Sequence, residues 1–346
     1  LAFIKNSLEK GKKQISFLRS SLMRIGLVGS TGLVGQTILK VLTERNFPIK
    51  NLKPFASASS KGKKLSFQGQ ELSIDILTDE SIKNLDLVFI ATGEDISEEW
   101  TPKLAALGTY VVDNSSAFRL HPEVPLVCPE INGNEVTEKQ KIYANPNCST
   151  IQLVVMLGAL KKAGTIKDII VASYQAVSGA GTAALTELKD QSADQSTPAS
   201  AFPTNIAFNC IPQIGGFDSL GFSSEEQKIM KETKKILDLS GASVSAQTVR
   251  VPVENSHAES VWVTFENPVS REQVLKALND QEGLNVKTEG YDTQIEISGK
   301  DEVFVSRIRQ DIDNPNRWLF WVLADNIRKG AATNAVQIAE KILSAR

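Results

Sequence analysis

Short apolar blocks, each closed by turn-forming residues, mark the first part of the chain. The blocks Met23–Val28, Leu52–Ser57, Leu87–Ala91, Tyr110–Val112 and Ile142–Ala144 read as strands covered on both faces, the pattern of a parallel sheet. Val34–Thr43 alternates as an amphipathic helix between the first two. The longest apolar stretch, Ile151–Leu160, ends at Lys161 and Lys162. It is shorter than the ~18 residues a membrane span needs and reads as a buried helix. The pattern then changes. Ile169–Ala176, Ser243–Val253, Ser260–Phe265, Val303–Ile308 and Trp318–Leu323 look like strands of one larger sheet, and some have no helix between them, which favours a partly antiparallel arrangement. Glu225–Leu237 is a helix opened by a Ser223/Glu226 capping box, and Ala331–Leu343 is the last helix. Residues 189–204 are rich in Ser, Gln, Asp and Pro and read as an exposed or subunit-bridging excursion. The expected architecture is a doubly wound α/β domain followed by a second domain around a mixed sheet.

Composition narrows the chemistry. At 346 residues the chain has room for two domains. Lys and Arg total 38 against 40 Asp and Glu, which removes a bulk electrostatic case for nucleic acid or an anionic membrane. There are three cysteines, Cys128, Cys148 and Cys210, and two histidines, His121 and His257. So few cysteines, in odd number, argue against a disulfide framework and for a reducing, cytoplasmic compartment. Their spacing offers no Cys/His zinc site, and no metal is expected. Residues 1–22 carry five basic residues and one acid, Glu9. They read as an upstream extension outside the fold, or as an organelle transit peptide.

The first strand runs into Gly29-Ser30-Thr31-Gly32-Leu33-Val34-Gly35 and then a helix. Glycines at such a junction let the backbone approach a pyrophosphate seated on the helix N-terminus. No Asp or Glu occurs from Arg45 to Gln70, so the carboxylate that would bind the ribose hydroxyls of NAD is missing. Ser57, Ser59, Ser60 and Lys61 stand there instead, hydroxyls and an ammonium suited to a 2′-phosphate. The expected cofactor is NADP(H). Two later strands end in Thr92-Gly93 and Asp113-Asn114-Ser115-Ser116, at the carboxyl edge where ligands of such sheets collect.

Asn145-Pro146-Asn147-Cys148-Ser149-Thr150 follows the fifth strand. Pro146 stops the strand, and Ser149 or Thr150 is placed to cap the next helix. Cys148 then lies at a helix N-terminus, where the dipole and free N–H groups lower a thiol pKa and hold an oxyanion. Cys128 and Cys210 read as small buried hydrophobes, and His121 as a structural loop residue.

These motifs, with Tyr174-Gln175-Ala176-Val177-Ser178-Gly179-Ala180-Gly181, Arg250-Val251-Pro252-Val253 and His257, resemble the aspartate-β-semialdehyde dehydrogenase family from Met23 to the C-terminus. The resemblance implies a Rossmann-type NADP-binding domain over 23–148, completed by a helix at 329–346. It also implies an α+β catalytic and dimerisation domain over 149–328. The implied reaction is reduction of aspartyl phosphate to aspartate semialdehyde through a cysteine thioester. Cys148 is the implied nucleophile, His257 the acid/base, Gln175 the residue orienting thiol and acyl group, and Asn147 an oxyanion donor. Arg250 would take the substrate carboxylate, Glu225 its ammonium, and Arg119, Lys228 and Asn114 the phosphate. The dinucleotide would be met by Gly29, Ser30, Thr31, Gly32, Leu33, Val34, Ser57, Ser59, Ser60, Thr92, Gly93, Ser178, Gly179 and Asn326. A homodimer, or a tetramer, is the implied assembly.

Each implied role has a structural rival. His257 fits a surface loop, Glu225 and Lys228 an exposed i,i+3 pair, Arg119 a solvated loop charge, Arg250 an ion pair with Glu254, and Gln175 a strand-end backbone partner. Two other functions stay open. N-acetyl-γ-glutamyl-phosphate reductase shares the chemistry but has no ammonium for Glu225, and a non-catalytic relative would act as a binding module.

Overall fold

A computed structural model describes residues 22–346. The reading of residues 1–22 as an extension falls almost wholly outside them.

Five strands, β1 (Met23–Val28), β2 (Ile49–Phe55), β5 (Leu87–Ile90), β6 (Tyr110–Asp113) and β7 (Ile142–Ala144), form a sheet in the order β2-β1-β5-β6-β7. Every pairing is parallel. β1 has its sequence neighbour on one side and the later strands on the other, so the switch point lies at its carboxyl end. Helix α1 (Leu33–Glu44) starts there and α2 (Glu94–Ala106) follows β5. A hairpin of β3 (Lys64–Phe67) and β4 (Gln70–Ser73) covers the chain after β2.

The second sheet has six strands in the order β11-β12-β13-β10-β8-β9. They are β8 (Ile166–Gln175), β9 (Ser243–Arg250), β10 (His257–Phe265), β11 (Leu284–Val286), β12 (Val303–Gln310) and β13 (Arg317–Ala324). β8 and β9 run parallel, as do β11 and β12, and the other pairs are antiparallel. The mixed sheet is therefore as expected. Helix α3 (Cys148–Ala163) is buried from Ser149 to Leu160, because it lies in the main core cluster with the inner face of this sheet. A helix enclosed on all sides has no need of a polar face. Helices α4 (Thr182–Ala193), α5 (Ser224–Leu237), α6 (Arg271–Asn279) and α7 (Thr333–Ala345) complete the described helices of more than two turns. Ala335, Val336, Ile338, Ala339 and Ile342 of α7 join the core of the parallel sheet. Among the described residues no helix is long and apolar enough to cross a membrane.

Several boundaries depart from the sequence reading. β2 ends at Phe55 and β9 at Arg250, since Pro252 cannot continue a ladder. β10 starts at His257, three residues early. The excursion at 189–204 begins as the end of α4, where Gln191 is buried and accepts from the Ile206 N–H. Residues 328–332 form a π turn ahead of α7. The hairpin, α2 and α6 were not expected; α2 carries few apolar residues and Pro102 within it.

Candidate active site

Three strand ends put three side chains side by side. β8 and β9 run parallel with Gln175 opposite Arg250. Antiparallel β10 begins beside them at His257, whose neighbour Ala258 pairs with Tyr174. The three side chains are buried. A loop turns over them through Gly179, which has no side chain to exclude them: a Cβ there would stand 3.0 Å from Arg250 Nη1 and 3.3 Å from His257 Nε2. Cys148, at the head of α3, faces a cavity of about 570 Å³, which Gln175, Arg250, Asn147, Glu225, Lys228, Arg119 and Asn114 also line, while His257 stands behind Gly179 and does not line it.

The cap of α3 differs from expectation. Asn147 is the N-cap, and its Oδ1 accepts from the Ser149 and Thr150 N–H groups. Ser149 and Thr150 are donors in that turn, already helical, and cannot cap it. With its carbonyl so used, Asn147 turns its amide to Glu225: Nδ2 donates to Oε1 at 2.9 Å. Gln175 Nε2 donates to the same oxygen at 3.2 Å. In this state the Asn147 amide serves the cap and Glu225, and the Cys148 N–H remains for an oxyanion.

Other charges and burial act on the thiol besides the helix terminus. Burial pushes Cys148 up to about 12, the Glu225 charge adds to it, and Arg119 and Arg250 pull the other way. Cys148 is half-buried, at the mouth of the cleft, so desolvation there acts against the helix terminus. Burial, then Arg250, lowers the His257 pKa well below 6.5. Its Nδ1 accepts from the Ala176 N–H at 3.0 Å, which leaves the proton of the neutral ring on Nε2. That nitrogen has no hydrogen-bond partner among the described residues.

The rival readings of these residues fail on burial and partners. His257 is enclosed rather than a surface loop residue. Glu225 is buried, and Lys228 lies 3.9 Å away. Arg119 is buried against Glu232, Arg250 donates to the Ala176 carbonyl at 2.7 Å, and Glu254 pairs with Lys189 instead. Cys128 is buried, but Cys210 is exposed, because the chain around it is irregular surface coil. His121 is an exposed loop residue whose Nδ1 accepts from the Glu123 N–H.

On the dinucleotide side, Gly29 has φ of +82°, and a Cβ on Gly35 would stand 2.2 Å from the Gly29 carbonyl oxygen. Glycine is required at both. Gly32 caps α1 without a side-chain bond, so the helix N–H groups stay open to an anion. Gly32, Leu33, Val34, Thr92, Gly93, Ser178, Gly179 and Asn326 line the cavity; Gly29, Ser30, Thr31, Ser57, Ser59 and Ser60 do not. Ser30 is a correction. It is buried and its Oγ donates to the Phe55 carbonyl, so its side chain fixes the loop to β2. Thr92 Oγ1 is buried without a partner among the described residues.

The sequence matches family models at both ends of this cleft: "semialdehyde dehydrogenase, NAD binding domain" over residues 24–139 and "semialdehyde dehydrogenase, dimerisation domain" over 157–329. It is 45% identical to an aspartate-semialdehyde dehydrogenase of Aquifex aeolicus, across 92% of this chain and 98% of that one. The chain belongs to the aspartate-semialdehyde dehydrogenase family. A crystal structure of aspartate semialdehyde dehydrogenase II from Vibrio cholerae, complexed with ASA, superposes with a TM-score of 0.91 at 40% identity, over 93% of this chain and 98% of that one. An aspartate semialdehyde dehydrogenase with NADP from Candida albicans gives a TM-score of 0.73 at 26% identity, over 94% and 99%.

The cleft also depends on residues the motifs did not mark. Gly330 is one: a Cβ there would stand 3.0 Å from the Cβ of Cys148. Glu232, seven residues after Glu225 on α5, is a second, and the spacing of two helical turns was its only signal. Glu259 is a third. It lies on β10 opposite Ser173, fully buried, with neither carboxylate oxygen hydrogen-bonded among the described residues. Burial raises its pKa well above 4.5; Gln152 opposes this and Glu225 adds to it. The folded state thus holds a proton that the unfolded chain releases. This contribution is complete at low pH and is lost as pH rises from about 4.5 toward the raised value. Glu259→Gln is expected to raise the melting temperature near pH 8 and to change it little near pH 4. The wild-type deficit should grow by up to about 1.4 kcal/mol per pH unit between. Thermal melts across that range check it; a pH-independent difference counts against a protonated Glu259.

Proposed function

We propose that the chain catalyses NADPH-dependent reductive dephosphorylation of L-aspartyl 4-phosphate to L-aspartate 4-semialdehyde, and the reverse phosphorylating oxidation. Such a step serves the biosynthesis of lysine, threonine, methionine and isoleucine. The observation that carries this is one cavity holding a thiol beside three differently charged binding groups. Arg250 suits the substrate carboxylate through two parallel bonds. Glu225 suits its ammonium, a group absent from an N-acetylated substrate. Arg119, Lys228 and Asn114 suit phosphate.

Bound at the Gly29–Gly35 loop, the dinucleotide would supply or accept the hydride that interconverts the Cys148 thioester and thiohemiacetal. The remaining steps belong to this chain. The Cys148 sulfur attacks the acyl carbon, a C–S bond forms, the C–O bond to phosphate breaks, and the thiol proton leaves with the phosphate. Phosphate departs toward Arg119 and Lys228. Gln175 holds the acyl group against the thiol. His257 Nε2–H and the Cys148 N–H donate to the oxygen that gains charge at the former carbonyl. Collapse of the thiohemiacetal forms the aldehyde C=O, breaks the C–S bond and passes the hydroxyl proton to sulfur.

NADP is favoured over NAD by the Ser57 and Ser59 hydroxyls, 2.9 Å apart just after β2, and by the acid-free run from Arg45 to Gln70. The Candida albicans relative with NADP supports the same choice. Phosphate-dependent reduction of NADP by aspartate semialdehyde tests the reaction. The expected kcat/KM for NADPH exceeds that for NADH by roughly tenfold or more, the value of one or two charge-assisted bonds; equal values overturn the cofactor assignment.

We place the domain boundary at 148/149, with residues 329–346 returning to the first domain. The same reading makes the molecule a homodimer, or a tetramer, in the cytoplasm. The dimerisation-domain match supports association. So does the outer face of the mixed sheet, where Ile170 and Tyr174 are exposed and Tyr174 packs on Trp321 at 5.5 Å.

A further inference from the structure

Helix α5 faces the cleft with more than Glu225 and Lys228. Glu232 follows on the same side and is almost wholly buried. Its Oε2 accepts from the Asn147 backbone N–H at 2.7 Å. Its Oε1 accepts from Arg119 Nη1 at 3.1 Å. One more turn along, Lys235 Nζ donates to the carbonyls of Arg119, His121 and Val124 at 2.8 to 2.9 Å. Arg119 is held on its other edges too, by the Asn145 and Asn114 carbonyls. Among the described residues the guanidinium therefore has one carboxylate partner, and that carboxylate also grips the backbone N–H of the residue before Cys148. A buried carboxylate with two donors on two loops has no role in the reaction described above.

We infer that Glu232 is a positioning residue that fastens the phosphate-binding Arg119 to the loop of the nucleophile, so that leaving group and thiol are set by one carboxylate. The inference rests on Arg119 receiving phosphate, as proposed above. The geometry makes a specific demand on the side chain. Both neighbours of Glu232 are donors, and only a carboxylate accepts at both oxygens. Glutamine keeps the shape but turns an NH₂ toward one of them, so one tie must break. Burial raises the Glu232 pKa, with Glu225 adding to it, and Arg119 and the Asn147 N–H oppose this, so the two ties are what favour the charged form.

Glu232→Gln in the full chain is the test, read in three ways. The KM for phosphate in semialdehyde oxidation is expected to rise about tenfold, the loss of one charge-assisted tie, with the KM for aspartate semialdehyde changed less than about twofold. The alkylation rate of Cys148 by iodoacetamide, followed by peptide mass spectrometry to separate it from Cys210, is expected to shift at least about threefold. A double-mutant cycle with Arg119→Lys is expected to be non-additive for phosphate KM. A folded Glu232→Gln protein with unchanged phosphate KM and unchanged alkylation overturns the inference. So does additivity in the cycle. If Glu232→Gln does not fold, Glu232→Asp replaces it in the same measurements: the shorter arm cannot span both donors, and the same KM split is expected. A wild-type chain without phosphate-dependent oxidation would refute the proposed function instead, and the alkylation rates would still report whether Glu232 controls the thiol.

Discussion

Cys148→Ser is expected to reduce turnover by roughly 10⁴-fold or more, with melting temperature and dinucleotide affinity close to wild type. The size of the effect follows from the surroundings of the sulfur. Cys148 is half-buried, and desolvation pushes its thiol up; a serine hydroxyl, a much weaker acid, meets the same desolvation. A serine nucleophile would need an adjacent base. His257 presents Nε2–H rather than a lone pair, since its Nδ1 is taken by the Ala176 N–H. Serine also forms an ester, a poorer hydride acceptor than a thioester. The fold should not notice the exchange, because oxygen is smaller than sulfur and the tight contact with Gly330 is made by Cβ. Initial rates of NADP reduction, thermal melts and a dinucleotide titration check the three parts. Substantial activity in the serine variant would move the nucleophile elsewhere.

The second large effect is expected at Arg250. Arg250→Lys should raise the KM for aspartate semialdehyde by ~10- to 100-fold, as one bond of a charge-assisted pair is worth ~1.5–3 kcal/mol. The loss should fall on KM more than on kcat. Arg250 is buried at the end of β9, and Nη1 is anchored on the Ala176 carbonyl, so its plane is fixed before substrate arrives. Lysine keeps the charge but offers a point rather than a fork. Burial already lowers the Arg250 pKa, with Glu225 and Cys148 opposing that, and lysine, starting lower, would bear the same desolvation less well. An unchanged KM would place the carboxylate site away from Arg250.

Much of this was legible from short patterns. The parallel strands announced themselves as apolar blocks, and the glycine loop by position between strand and helix. Cys148 stood out because Pro146 and an apolar helix bracket it. What stayed hidden depends on distance in the chain. Glu232 looks like one acid among many on a charged helix until Asn147 and Arg119 are folded against it. Gly330 has no local turn to explain it and matters only for its closeness to Cys148. The thiol shows the same limit: a helix terminus is visible in sequence, and the desolvation and the Glu225 charge that oppose it are not. α2 was missed because its surface is largely polar and its few apolar contacts form only on the sheet.

The position of α3 has a mechanical consequence. Its shaft is embedded in the core of the mixed sheet, so Cys148 is carried by the same body that carries Gln175, Arg250 and His257. Arg119 arises from the parallel-sheet half, yet Glu232 and Lys235 tether it to α5 on the mixed-sheet side. Apart from Asn114, which is hydrogen-bonded to Ile90 of β5, the groups proposed to touch the reacting acyl phosphate are thus moored to one chassis, and the dinucleotide loop sits on the other. A rocking of the two halves would carry the hydride source toward or away from the acyl carbon while leaving the attacking sulfur and its target in register. Acyl transfer would then tolerate such motion, and hydride transfer would feel it.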